Sequence, residues 1–269
     1  MSIDFQQPAV IYVHGCPGQF EDLNEEFRAS KEFQIMNMLR PGFGKAALSK
    51  KSLSFDDHAN LIVDFMDSHQ IPSAILLGHS LGSAISLWTA LKFPERVDGV
   101  VAVAPFFKAG KEEKRSTTPK ILRLPIIGSI AAWIISKTAG KKSLEQNLMK
   151  SFGAERIDSD FVNSKVSQYA KPKTLIEILE EKNALLEASQ KLDESLSQLQ
   201  LPVVILSSDS DQIAAGQAAE LAQKLSRASW THSKRGGHLA SQFSERDLSQ
   251  AMSLILSKKE KKNAKASGL

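Results

Sequence analysis

The 269-residue chain is short of cysteine, of long apolar runs and of net charge, and each shortage closes off a class of protein. One cysteine, Cys16, excludes an intrachain disulfide framework and a cysteine-rich zinc site. The most apolar stretch, residues 124–135, is about 12 residues long between Arg123 and Lys137, too short to cross a bilayer as a helix but able to lie in an interface. The net charge is only +4, and residues 258–269, with five lysines and one glutamate, account for all of it. Those residues are expected to form a flexible basic tail that adds at most a weak attraction to anionic surfaces. Missing too are a Cys/His finger, a G-x-x-x-x-G-K-[ST] phosphate cradle, a dinucleotide fingerprint and a basic strip interleaved with aromatics, so no nucleic-acid partner is expected. Residues 1–7 hold Asp4 and no basic residue, which is not the layout of a secretory signal, and a cytoplasmic location is the expectation.

What is present is the composition of a globular domain, 42% hydrophobic and 24% charged. Short apolar runs at residues 8–13, 33–39, 75–77, 97–104, 203–207 and 228–232 read as strands. Helical spacing lies between them, at residues 20–30, 55–69, 84–93, 214–225 and 239–256. Strand and helix in alternation imply parallel strands joined by crossover helices, a three-layer α/β fold with a mostly parallel sheet. The alternation lapses over residues 106–200. There an apolar helical segment at 121–139 and a long helix at 175–199 predict a helical cap inserted between core halves at 1–105 and 201–257. Ile178, Leu185, Leu192 and Leu199 recur every seven residues, but Lys182 and Ser189 interrupt the second row, which favours packing on the core over a coiled coil.

The strongest local signal is Gly78-His79-Ser80-Leu81-Gly82, between an apolar strand and a helix. Two glycines permit a cramped turn that lifts the Ser80 hydroxyl out of the sheet, although a serine there can also serve as a helix cap. A nucleophilic serine needs a base. Among six histidines, His238 stands out in Gly236-Gly237-His238, after the last strand and before a helix. Ser207-Ser208-Asp209-Ser210-Asp211 follows the strand before it and offers two carboxylates to orient that base.

On these motifs the chain resembles the α/β-hydrolase superfamily, particularly its cap-bearing serine esterases, from His14 to about Leu256. The resemblance implies Ser80 as nucleophile, His238 as base and Asp211 as the orienting acid, with Asp209 the alternative. It also implies an oxyanion hole from the backbone N–H groups of Cys16, in His14-Gly15-Cys16-Pro17-Gly18, and Leu81, with no metal or organic cofactor. The chain departs from the family in two places. Leu39-Arg40-Pro41-Gly42-Phe43-Gly44 stands where an Asp-x-Pro-Gly-aromatic-Gly pattern is usual, and only 13 residues precede His14. The second departure predicts a sheet one hairpin short at its N-terminal edge, which a second subunit could cover in a homodimer, or which reflects an incomplete gene product.

The implied reaction is hydrolysis of a hydrophobic carboxylic ester through an acyl-enzyme. Thioesters, peptides and carbon–carbon bonds are alternatives served by the same serine machinery. A cap-mediated interaction protein without catalysis is the non-enzyme alternative. Phe106, Phe107 and Trp133 are candidates to line an acyl pocket, and the same apolar cap is consistent with lipid-facing activity.

Overall fold

Six short strands carry the apolar runs: β1 (Ala9–Val13), β2 (Gln34–Asn37), β3 (Ala74–His79), β4 (Val97–Val103), β5 (Val203–Ser208) and β6 (Ala228–Ser233). They are seen in a computed structural model that describes residues 7–110, 113–233 and 236–266, with side chains through residue 260. The strands form one sheet in the order β2-β1-β3-β4-β5-β6, and every pairing is parallel. Among the described residues β2 has no neighbour beyond β1, so it is an edge.

Successive side chains of β1 point to opposite faces, and both faces are covered. Ile11 and Val13 join Ile62, Met66, Ile85 and Leu221 on one side, whereas Val10 and Tyr12 join Phe27, Leu248, Met252 and Ile255 on the other. Burial on both faces explains why the strands read as continuous apolar runs. The crossover helices supply the covering layers: α1 (Glu25–Arg28), α2 (Phe55–Ser68) and α3 (Leu81–Lys92) link the first four strands. The chain moves from β1 outward to β2, then returns to β3 and continues to β4. The carboxyl ends of β1 and β3 thus lie at a topological switch point, where open α/β sheets leave a crevice.

Between β4 and β5 come α4 (Thr118–Leu122), α5 (Ile127–Lys137), α6 (Ala139–Ser151), α7 (Ser159–Tyr169) and α8 (Pro172–Ser195). The segment expected as one helix over 121–139 is broken before Ile127 and at Thr138, both at irregular backbone. In α8, Leu185 and Leu192 join the core under the sheet with Leu199 beyond the helix end, so three of the four residues of the seven-residue row face the core. After β5, α9 (Gln217–Lys224) leads to β6, and α10 (Glu245–Ala266) closes the chain.

The residues expected as a basic tail from 258 are helical as far as Ala266, where α10 ends. Leu248, Ala251, Met252 and Ile255 anchor the helix, and lysine continues a helix once it is nucleated. Lys258 donates to the Arg227 carbonyl and to Ser229 Oγ, and Lys259 pairs with Asp98 at 2.6 Å. Residues 267–269 and the side chains of Lys261, Lys262 and Lys265 lie outside the described residues. No described helix is long and apolar enough to cross a membrane.

Candidate active site

The turn from β3 into α3 is built around its glycines. A Cβ on Gly82 would stand 2.0 Å from the Val13 carbonyl oxygen, and one on Gly78 would stand 2.6 Å from the Gly82 carbonyl oxygen. Only glycine lets α3 start this close to the end of β1. Ser80, between them, has φ +53° and ψ −122°, a backbone conformation that a non-glycine residue adopts only when its surroundings impose it. Its amide donates to the Val103 carbonyl at 2.9 Å, and its carbonyl accepts from Phe106 N–H at 3.2 Å. The Ser80 hydroxyl makes no capping bond to α3, so the cap reading does not describe it. It faces His238 Nε2 at 2.8 Å.

His238 is buried, and its other ring nitrogen, Nδ1, lies 2.9 Å from Asp211 Oδ2. A carboxylate beside Nδ1 keeps the proton on that nitrogen and leaves the Nε2 lone pair toward Ser80. Asp211 Oδ1 accepts from the amides of Ile213 and Ala214 at 2.8 and 3.0 Å. Burial works against its charge, yet the His238 contact and those two amides hold its carboxyl below the usual range. Asp209 is 85% exposed and pairs with His232 at 3.1 Å. His79 donates through Nε2 to the His238 carbonyl at 2.7 Å; burial and the neighbouring His238 push it down to about 3, so it stays neutral.

Two amides stand unused near the serine. Among the described residues neither Cys16 N–H nor Leu81 N–H has a protein acceptor, and the loop holding Cys16 lies against the turn. A Cβ on Gly15 would meet His79 Nδ1 at 2.7 Å and Ser80 Cβ at 3.4 Å. Burial raises the Cys16 thiol well above its ordinary range, with Glu181 adding to the effect, so its sulfur is no ready nucleophile.

What holds this loop was visible in sequence only as a departure. Arg40, fully buried, donates from its guanidinium to the carbonyls of His14 (2.5 Å) and Gly15 (3.1 Å), and its amide donates to His14 Nε2 at 3.2 Å. The same guanidinium pairs with both oxygens of Glu181 on α8, at 2.6 and 3.0 Å. Beside the pair, Glu177 has no hydrogen-bond partner; burial, with Glu181 and Glu180 next, pushes its carboxyl up to about 8. His58 likewise makes no hydrogen bond, its Nε2 standing 3.9 Å from Glu181 Oε1, and burial holds it down to about 4. His58, Glu177 and Glu181 bring ligand atoms within 4.8 Å of one another. Arg40 already supplies Glu181 with its positive partner, and a metal cation there would be repelled by the guanidinium.

The cap also touches the site. His238 N–H donates to the Ser151 carbonyl at the end of α6 at 2.7 Å, and a Cβ on Gly153 would meet the Ser210 carbonyl oxygen at 2.6 Å. Neither residue stood out in sequence, because the contacts are backbone to backbone. Of the pocket candidates, Phe107 is fully buried in the core, Phe106 packs against the core while partly exposed, and Trp133 is 58% exposed on α5.

A family model described as alpha/beta hydrolase fold matches residues 8–243. An uncharacterized protein of Mycobacterium bovis is 25% identical over 154 residues, 52% of this chain and 45% of that relative, so the chain spans less than half the length of that relative. An esterase from Thermogutta terrifontis superposes with a TM-score of 0.74 at 16% identity, covering 94% of this chain and 90% of that one. The 2-hydroxy-6-oxo-6-phenylhexa-2,4-dienoate hydrolase of Rhodococcus sp. strain RHA1 gives 0.70 at 17%, covering 96% and 92%. At such identities the structural likeness is one of fold.

Proposed function

We propose that this chain, which belongs to the α/β-hydrolase family, is a serine hydrolase acting on small hydrophobic carboxylic esters. The observation that carries the reading is the hydrogen-bonded chain Ser80 Oγ, His238 Nε2, His238 Nδ1, Asp211 Oδ2, on a serine whose strained turn gives it no capping role. In the reaction, Ser80 Oγ attacks the ester carbonyl carbon as His238 Nε2 takes the hydroxyl proton. The carbonyl oxygen becomes an oxyanion and accepts from the free N–H groups of Cys16 and Leu81. His238 returns the proton to the departing alcohol, leaving the acyl group on Ser80. Water, deprotonated by His238, then repeats the attack, and the acid leaves as Ser80 recovers its proton. Asp211 remains ionised throughout and stabilises the imidazolium.

Carboxylic esters are supported as substrates because the Ser80–His238–Asp211 arrangement needs no further group to cleave them and because the fold is like that of an esterase. A fluorophosphonate is expected to label the wild-type protein and to leave Ser80→Ala unlabelled. In a panel of acyl esters, thioesters and peptides, esters are expected to turn over fastest and Ser80→Ala to abolish turnover. Hydrolysis that persists in folded Ser80→Ala would reject the mechanism, and preference for a thioester or peptide would reassign the substrate. Absence of labelling and turnover together would favour the interaction-protein reading.

A further inference from the structure

The helix α5 is built inside out. Its inward face carries Gly128, Ala132 and Ser136, all buried at helical spacing. Most large apolar side chains of α5 and the corner before it point to solvent: Leu124, Ile126, Ile127, Ile130, Trp133 and Ile134 are all exposed, Ile126 and Ile127 at 76% and 72%. Packing on the protein accounts for Ile135, which lies partly buried beside Leu122 and Ile176, but not for the others, since the fully buried positions of α5 are small residues. Gly128 packs so tightly on α4 that a Cβ there would meet the carbonyl oxygens of Ile121 and Leu122 at 2.6 Å. Ile126 takes φ +60°, an unfavourable conformation for a β-branched residue, at the corner where it is most exposed. A contiguous apolar face of this kind marks an interaction surface.

The surrounding charge identifies the partner. Residues 114–144 contain seven lysines and arginines and no aspartate or glutamate. Arg115 and Arg123 are paired with Glu187 and Glu180 of α8. Among the described residues Lys120, Lys137, Lys141 and Lys142 have no ion pair, and all four are exposed, on α5 itself and on α4 and α6 directly before and after it. A second copy docked on this face by two-fold symmetry would bring like charges together. An anionic lipid surface satisfies both features, taking the isoleucines and Trp133 at the acyl boundary and the lysines among its headgroups. The 11 residues of α5 span about 16 Å, so the helix lies in the interface and does not cross.

We propose that the outward face of α5, with its preceding corner, docks the protein on anionic bilayers. α6 follows α5 directly and its last residue, Ser151, holds the His238 amide, so the docked face is one helix from the site. Resting on the ester-hydrolase reading, the further consequence is that esters reach Ser80 from the lipid phase.

The test is co-sedimentation of the full chain with phosphatidylglycerol and with phosphatidylcholine vesicles, with turnover of a water-soluble short ester measured in parallel. Wild type is expected to sediment with phosphatidylglycerol far more than with phosphatidylcholine. The double variant Ile127→Asp/Ile130→Asp is expected to lower binding about tenfold or more, with unchanged melting and unchanged short-ester turnover. Lys137→Glu/Lys141→Glu is expected to weaken binding to phosphatidylglycerol alone, by about tenfold. Ser80→Ala is expected to bind vesicles like wild type, which separates docking from chemistry. The proposal is overturned if wild type does not sediment with phosphatidylglycerol, or if Ile127→Asp/Ile130→Asp binds as wild type does. It is equally overturned if light scattering shows wild-type self-association that this variant abolishes while neither protein binds lipid, for then a second copy covers the face.

Discussion

Arg40 and Glu181, 141 residues apart in the chain, meet as a bidentate ion pair with both side chains withdrawn from solvent. Arg40 also grips the carbonyls of His14 and Gly15, directly before the Cys16 amide. One guanidinium therefore ties the cap helix α8 to the loop assigned to the oxyanion. A cation buried this deeply is tolerable because burial, which opposes its charge, is countered by Glu181 and by carbonyl acceptors on its remaining N–H groups.

Removing one partner leaves a buried charge alone, so Arg40→Met and Glu181→Gln are each expected to lose about 3–5 kcal/mol in denaturant unfolding. The double variant Arg40→Met/Glu181→Met is expected to recover most of that stability by filling the space with apolar volume. Its kcat is nevertheless expected to stay about tenfold or more below wild type with KM little changed, since a misplaced oxyanion donor weakens the transition state more than the ground state. Affinity for a boronic acid should fall in parallel. Wild-type kcat in the stable double variant would reduce the pair to a structural role.

Glu177 gives stability a pH dependence of known sign. Its carboxyl titrates at about 8 in the fold, against an ordinary 4.5, so between those values the folded protein holds a proton that the unfolded chain has released. Its contribution is complete below about 4.5 and is lost as pH rises through about 8. Thermal midpoints should therefore decline from pH 5 to pH 9 more steeply in wild type than in Glu177→Gln, which cannot ionise. Parallel curves for the two proteins would count against this assignment.

The two candidate acids should separate cleanly. Asp211→Asn is expected to lower kcat about 10³–10⁴-fold, because an amide at that position no longer holds the His238 tautomer. Asp209→Asn, at an exposed pair with His232, is expected to stay within about twofold of wild type. Loss of turnover only in Asp209→Asn would reverse the assignment.

The helix of Lys258–Ala266 and the buried pair at Arg40 show two ways in which local reading stops short. Residues 258–269 have the composition of a tail, and no local signal says that Leu248 to Ile255 anchor the helix upstream strongly enough to carry it onward. Arg40 stands in the sequence only as a departure within a glycine loop, with nothing to tie it to Glu181 of a helix 141 residues on. Both are buried in the fold, which no local pattern of charged residues announces.

By itself the sequence determined the alternation of strands and helices, because a strand buried on both faces must be continuously apolar and a crossover helix must be periodic. It also determined the Ser80 turn, since only glycines at 78 and 82 let the backbones approach so closely. Tertiary structure brought Asp211, the acid that the family resemblance already favoured, to His238 Nδ1, and it alone decided that Arg40 finds Glu181. It also decided that most isoleucines of α5 face outward. An apolar pattern specifies that a helix has an apolar side, but which side is covered depends on the neighbours that long-range folding brings to it.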